Sequence, residues 1–121
     1  MKEAIEKIFE WNYIAENLKY NKHLEISMLS EEFAETISAI SKWDKVEVLD
    51  WILDIFIVWM WTLCKMGFDM NNINEAFDRI MENNYSKFKK WDYWYYVEKD
   101  ENWKILKPEW FKPVDLSDLI S

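Results

Sequence analysis

The stretch EVLDWILDIFIVWMW (residues 47–61) reads like a membrane helix except for three carboxylates, Glu47, Asp50 and Asp54, spaced along it. An ionised carboxylate in apolar surroundings is costly unless it is paired or bound to a metal, so these acids need a reason. The longest uncharged apolar run, Ile55 to Cys64, is far shorter than the roughly 20 residues of a bilayer span, and Asp50 and Asp54 precede it. The segment is therefore read as a helix of a globular protein, with no membrane partner.

The surrounding chain supports that reading. Its 121 residues suit one domain with a core of its own. A single domain over 1–121 is expected, with a helical core over about 3–89 and an aromatic-rich hairpin and tail over about 91–121. Half of the residues are hydrophobic and 31% are charged, a globular composition, and nine are Trp. Fifteen basic residues against 23 acidic ones leave a net charge of −8, which argues against nucleic acid as a partner. An anionic ligand then requires local positive charge or a metal. The one cysteine, Cys64, excludes an internal disulfide framework. The acidic N-terminus MKEAIEKIFEWN lacks the apolar region of a signal peptide, so a cytoplasmic location is expected.

One Gly and two Pro give the first ninety residues few helix breaks. Ile5, Ile8, Phe9, Ile14, Ala15 and Leu18 recur at helical spacing and predict a helix over 3–20. A second helix over 24–41 carries the apolar stripe Ile26, Leu29, Phe33, Ile37 and Ile40. The third runs from an N-cap at Asp44 to Met66 and stops at Gly67. A fourth starts near Asn71 or Asn72, with Ile73, Phe77, Ile80 and Met81 facing inward. Beyond it, YWYYV and WKIL, separated by EKDEN, suggest a small hairpin, and KPEWFKPVDLSDLI an ordered irregular tail.

On the third helix Trp43, Glu47, Asp50, Asp54 and Trp61 fall on one seam. On the second, Met28, Glu32, Glu35 and Ala39 form another seam roughly 130° from the apolar stripe, and Glu31 lies off it toward solvent. A short connection makes the two helices an antiparallel hairpin, so Glu32 and Glu35 could face Glu47 and Asp50. Gathered carboxylates raise one another's pKa unless a cation offsets them, and oxygen-only ligands suit Mg²⁺, or Mn²⁺ in its place. An isolated ExxE is usually a solvated helix face. Two such motifs on consecutive helices, each bracketed by apolar residues, favour metal ligation. A di-iron bundle needs Glu-x-x-His, which the lone His23 does not supply. The uniformly apolar IFIVWMW is read as buried by a second subunit.

The order EEFAE (31–35), EVLD (47–50) with a further Asp54, GFD (67–69), NNYSKF (83–88) and KILKPEWFKPVDLSDL (104–119) resembles the MazG-like all-α nucleoside triphosphate pyrophosphatases. The likeness is strongest to small, stand-alone, often phage-encoded members and spans roughly residues 24–119, helix one matching only by position and amphipathicity. It implies an all-α four-helix bundle with an antiparallel metal-binding helix pair, assembled as a homodimer or homotetramer. It also implies Mg²⁺-dependent cleavage of a nucleoside triphosphate between its α and β phosphates, giving monophosphate and pyrophosphate. Carried over by position, Glu32, Glu35, Glu47 and Asp50 are the metal ligands, and Asp54 is a further ligand or supporting acid. Glu35 or Asp54 is the acceptor for the proton of the attacking water.

Asn84 and Lys87 match the family's NxSK element and are assigned to nucleotide and phosphate; they also continue the inward seam of helix four. Trp11 and Trp43 are candidates for stacking on the base, although Trp at helical spacing is more often core. Glu25 or another non-basic residue stands where the family often has an arginine ahead of EExxE. Base and sugar preference stay open, from dCTP, dUTP or dATP to phosphoribosyl-ATP. The alternatives are a noncatalytic helical interaction module and a phosphohydrolase of different regiochemistry.

Overall fold

The computed structural model describes residues 2–91 and 93–120. These are mostly helical and carry four α-helices: α1 (Lys2–Ile14), α2 (Lys22–Lys42), α3 (Lys45–Lys65) and α4 (Met70–Tyr85). A two-stranded ribbon, β1 (Lys89–Trp91) and β2 (Trp94–Tyr96), and a short 3-10 turn at Ser117–Leu119 follow. Among the described residues no helix is long and apolar enough to cross a membrane. The chain divides into two compact units, residues 1–70 and 71–121.

In the first unit the helix ends are written in local chemistry. The Asn21 side chain accepts the Leu24 N–H at 3.1 Å and starts α2. Trp43 turns the chain with a left-handed backbone, φ 56°, and its N–H closes on the Ile40 carbonyl. Asp44 then caps α3 by accepting the Val46 and Glu47 N–H groups, both at 3.1 Å. At the other end Gly67, φ 87°, donates to the Cys64 carbonyl and Phe68 to the Leu63 carbonyl, which closes α3 as a Schellman motif. No atom stands within 4 Å of a Cβ built on Gly67, so its backbone angle, not crowding, calls for glycine.

Helix α1 is shorter than the expected 3–20. It closes after Ile14 through Glu16, φ 55°, with Glu16 donating to the Tyr13 carbonyl and Asn17 to the Asn12 carbonyl. The Asn17 amide folds back onto Asn12 Oδ1 at 2.9 Å, and Leu18 falls outside the helix. Ile5, Phe9 and Asn12 form the buried face of α1, which packs on α3.

The rotation of α2 also departs from expectation. The apolar stripe does not face α3: Phe33 is 55% exposed, Ile37 50%, and Ile26 and Ile40 are exposed as well. Glu25, Thr36 and Ala39 are the buried residues instead, with Glu32 and Glu35 half-buried between them. The physical reason lies at the open end of the hairpin. There Lys65 Nζ meets Glu25 Oε1 at 3.2 Å, with side-chain exposures of 1% and 3%. Thr62 adds a hydrogen bond to the same oxygen at 3.1 Å. Turning α2 by roughly 130° to bury its apolar stripe would strand Lys65 without its counter-ion.

In the second unit the tail runs back along α4. The Arg79 guanidinium grips Asp118 with two bonds, 2.7 and 3.0 Å, and also bonds Glu75. Asn72 and Asn83 donate to the Leu119 and Lys112 carbonyls, both at 2.9 Å. The strands differ from the expected hairpin, because β2 takes its ladder from the upstream KKW, with Lys89 opposite Tyr96. The EKDEN turn does form around Asp100, whose carboxylate accepts the Asn102 and Lys104 N–H groups, but it supports only a single bridge, Lys99 to Ile105. On α4, Phe77, Ile80 and Met81 remain partly exposed, so the inward face expected for them is only partly covered.

A test follows from the buried pair. Lys65→Met lowers the unfolding free energy in urea by roughly 3–5 kcal/mol by leaving Glu25 uncompensated, and Glu25→Leu combined with Lys65→Met recovers most of that loss. A loss below about 1 kcal/mol in the single variant contradicts a buried pair.

Candidate functional site

Two cross-links set the register of the α2–α3 hairpin. The Thr36 hydroxyl reaches the Trp51 carbonyl at 3.5 Å, and the Thr62 hydroxyl bonds Glu25. With the helices antiparallel, Glu32 stands level with Asp54 and Ile55, Glu35 with Trp51 and Ile52, and Glu47 with Ile40. Ile40 lies eight residues beyond Glu32, so Glu47 sits two turns away, roughly 12 Å along the helix axis.

Around the Glu32–Asp54 level the three helices of the first unit border a cavity of about 490 Å³. From α1 come Lys7, Ile8 and Trp11; α2 contributes Glu32; α3 contributes Asp54, Ile57, Val58 and Trp61. Trp11 and Trp61 stack on one side, ring centres 5.1 Å apart and planes within 9°. That volume lies within the range of small-molecule sites, and aliphatic side chains line it beside the acids.

The electrostatics centre on Glu32. Burial pushes its carboxyl above the usual carboxylate range, and the negative charges of Glu35, Asp54 and Glu31 add to the shift in that order. Its Oε2 is buried without a hydrogen-bond partner. A buried carboxylate oxygen in that condition calls for a cation or a proton. The donor set contains oxygen alone and suits a hard divalent ion. Among the described residues, however, no three of the His, Cys, Asp and Glu side chains stand together closely enough to hold one.

The expected site residues are thus distributed unevenly. Glu32 and Asp54 share the cavity, and Glu35 lies near enough for its charge to act on Glu32. Asp50 and Glu47 are exposed on the part of α3 nearer the turn. Of the two tryptophans, Trp11 lines the cavity. Trp43 caps the far end of α2, is 77% exposed, and borders a separate apolar hollow with Ile40, Val48, Leu49 and Ile52. In the second unit Asn84 and Lys87 both line a cavity of about 300 Å³ with Met81, Tyr85 and Phe88. There Lys87 Nζ lies 5.1 Å from the centre of the Phe111 ring.

Lys7 was not singled out by sequence reasoning, and Trp61 was read there only as part of a packing seam. Lys7 precedes Trp11 by one helical turn, so the spacing places both on one face of α1. Nothing in α1 itself signals that this face meets the acids of another helix.

No curated protein and no solved structure shows significant similarity to the chain. The sequence profile of the phosphoribosyl-ATP pyrophosphohydrolase family matches residues 1–81, which takes in α1, α2, α3 and most of α4. Members of that family are pyrophosphohydrolases acting on phosphoanhydride bonds, within the MazG-like all-α superfamily. A half-buried carboxylate pair on an antiparallel helix hairpin, in a chain matched over two thirds of its length, places this protein in the phosphoribosyl-ATP pyrophosphohydrolase family as a hydrolase of phosphoanhydride bonds.

Proposed function

We propose that the chain is a Mg²⁺-dependent nucleotide pyrophosphohydrolase that cleaves a nucleoside triphosphate between its α and β phosphates, releasing monophosphate and pyrophosphate. The observation that carries this reading is the buried, unpartnered Glu32 oxygen beside Asp54 in a cavity walled by stacked indoles. Glu32 on α2 and Asp54 on α3 would hold the cation, with the charge of Glu35 beside them and water and phosphate oxygens in its other positions. The register favours Asp54 over Glu47 for this duty, because Glu47 lies two turns from Glu32. A divalent ion held there would screen the phosphate charge and lower the pKa of a water.

The chain's own residues do the rest. Glu35 or Asp54, whichever is less engaged by the ion, accepts the proton of the water that attacks the α-phosphorus. Ile8, Ile57 and Val58 keep bulk water from the acids, and the outer face of Trp11 receives the base. A second reading, phosphoribosyl-ATP as substrate, is favoured by the family match, and it uses the same bond cleavage on a bulkier nucleotide.

Self-association completes the reading. The exposed α2 stripe of Phe33, Ile37 and Ile40, with Leu49, Ile52 and Leu53 exposed on α3, supplies an apolar surface unusual for a monomer, and a second copy covers it.

Pyrophosphate release from a panel of ribo- and deoxynucleoside triphosphates and phosphoribosyl-ATP tests the function. Release requires Mg²⁺ and falls on the order of 100-fold or more in Glu32→Gln and Asp54→Asn, and less in Glu47→Gln. Because the Glu32 carboxyl ionises above its ordinary value of 4.5, activity at limiting Mg²⁺ is lost from a higher pH than that value as the solution is acidified. Metal-independent release, or none from any substrate by folded protein, rejects the reading. Light scattering tests the assembly: wild type elutes as a dimer or tetramer and Phe33→Glu with Ile37→Glu as a monomer, whereas a monomeric wild type contradicts it.

A further inference from the structure

The cavity holds one basic side chain whose role the acids and indoles do not explain. Lys7 lines it together with Glu32 and Asp54, yet among the described residues Lys7 takes part in none of the ion pairs. Lys7 is exposed, so its ammonium is free to meet a ligand. It also precedes Trp11, the open face of the indole stack, by one helical turn, which leaves roughly 5–6 Å between their Cβ atoms.

The ligand chemistry can be read from that arrangement. A triphosphate brings several negative charges into a chain of net charge −8, next to two carboxylates that alone use up the charge of one divalent ion and leave that of the phosphates uncompensated. The approach is favourable only if a further positive group meets the phosphates. A point charge on a flexible stem suits phosphate oxygens, and its place one turn from an indole matches a molecule with a flat aromatic end and an anionic end joined by a sugar. We propose that Lys7 contacts the β and γ phosphates of the substrate, so that α1 recognises both ends of the nucleotide, the base on Trp11 and the polyphosphate on Lys7. This rests on the pyrophosphohydrolase reading and adds a phosphate-binding residue on a helix that the acidic motifs do not include.

A purely structural Lys7 would act differently: it would stand in for the divalent ion, softening repulsion between Glu32 and Asp54. Calorimetric titration with the α,β-methylene analogues of ATP, dATP, dCTP and dUTP and with the matching monophosphates, in Mg²⁺, separates the two roles without turnover. Lys7→Met weakens binding of the triphosphate analogue about tenfold and changes monophosphate binding by no more than about twofold, and Lys7→Arg restores most of the loss. Unchanged triphosphate affinity in Lys7→Met overturns the assignment, as does an equal loss for monophosphate and triphosphate. Tighter Mg²⁺ binding in Lys7→Met with unaltered triphosphate affinity identifies the stand-in role and also overturns it. A folded wild type that binds none of the triphosphate analogues removes the parent reading and this assignment together, whereas wild-type binding that persists in Lys7→Met removes only the assignment.

Discussion

The ion pair between Glu25 and Lys65 governs which face of α2 meets α3. Both side chains are almost wholly out of water, so each needs the other, and the Thr62 hydroxyl holds the shared oxygen in place. With that end pinned, the seam through Glu32, Glu35 and Ala39 turns toward α3 and the apolar stripe through Phe33 and Ile37 turns outward. A pair of this kind adds little net stability compared with apolar residues of similar size. Its effect is on orientation, and both the acidic cavity and the exposed apolar surface follow from it.

The cavity is a place where like charges are held close by the packing around them. Glu32 and Asp54 come from different helices, and their level is set by the same register that joins Thr36 to Trp51. The half-buried setting and the charges of Glu35, Asp54 and Glu31 all work against ionisation of Glu32. The indole pair and the aliphatic wall add apolar surface on one side and leave room for a flat ligand.

Much of this was legible in the residues. Four helices, the cap at Asp44 and the stop at Gly67 were readable because capping chemistry is local. The end of α1 was not, since it turns on Glu16 in a left-handed conformation, a role for which glycine is the usual signal. The rotation of α2 was ambiguous for a different reason. The helix carries two seams, and hydrophobicity alone ranks the Phe33 stripe above the acidic one; the pairing of Glu25 with Lys65, 40 residues apart, reverses that order. The run YWYY had two possible β partners, and the nearer, KKW, took the ladder. Glu32 and Asp54 are candidates from seams and motif and Trp11 only as an aromatic ring able to stack on a base, whereas Lys7 required knowing which face of α1 meets the acids.

A cation bound as proposed would sit at the Glu32–Asp54 level of the hairpin, not at its turn. Paramagnetic broadening of backbone amide resonances by substoichiometric Mn²⁺ measures this directly, because the effect falls steeply with distance from the ion. Amides around Glu32, Glu35 and Asp54 broaden first, while those around Glu47, roughly 12 Å along the axis, persist to higher Mn²⁺. Broadening centred on Glu47, or spread evenly over the acidic surface, contradicts the account.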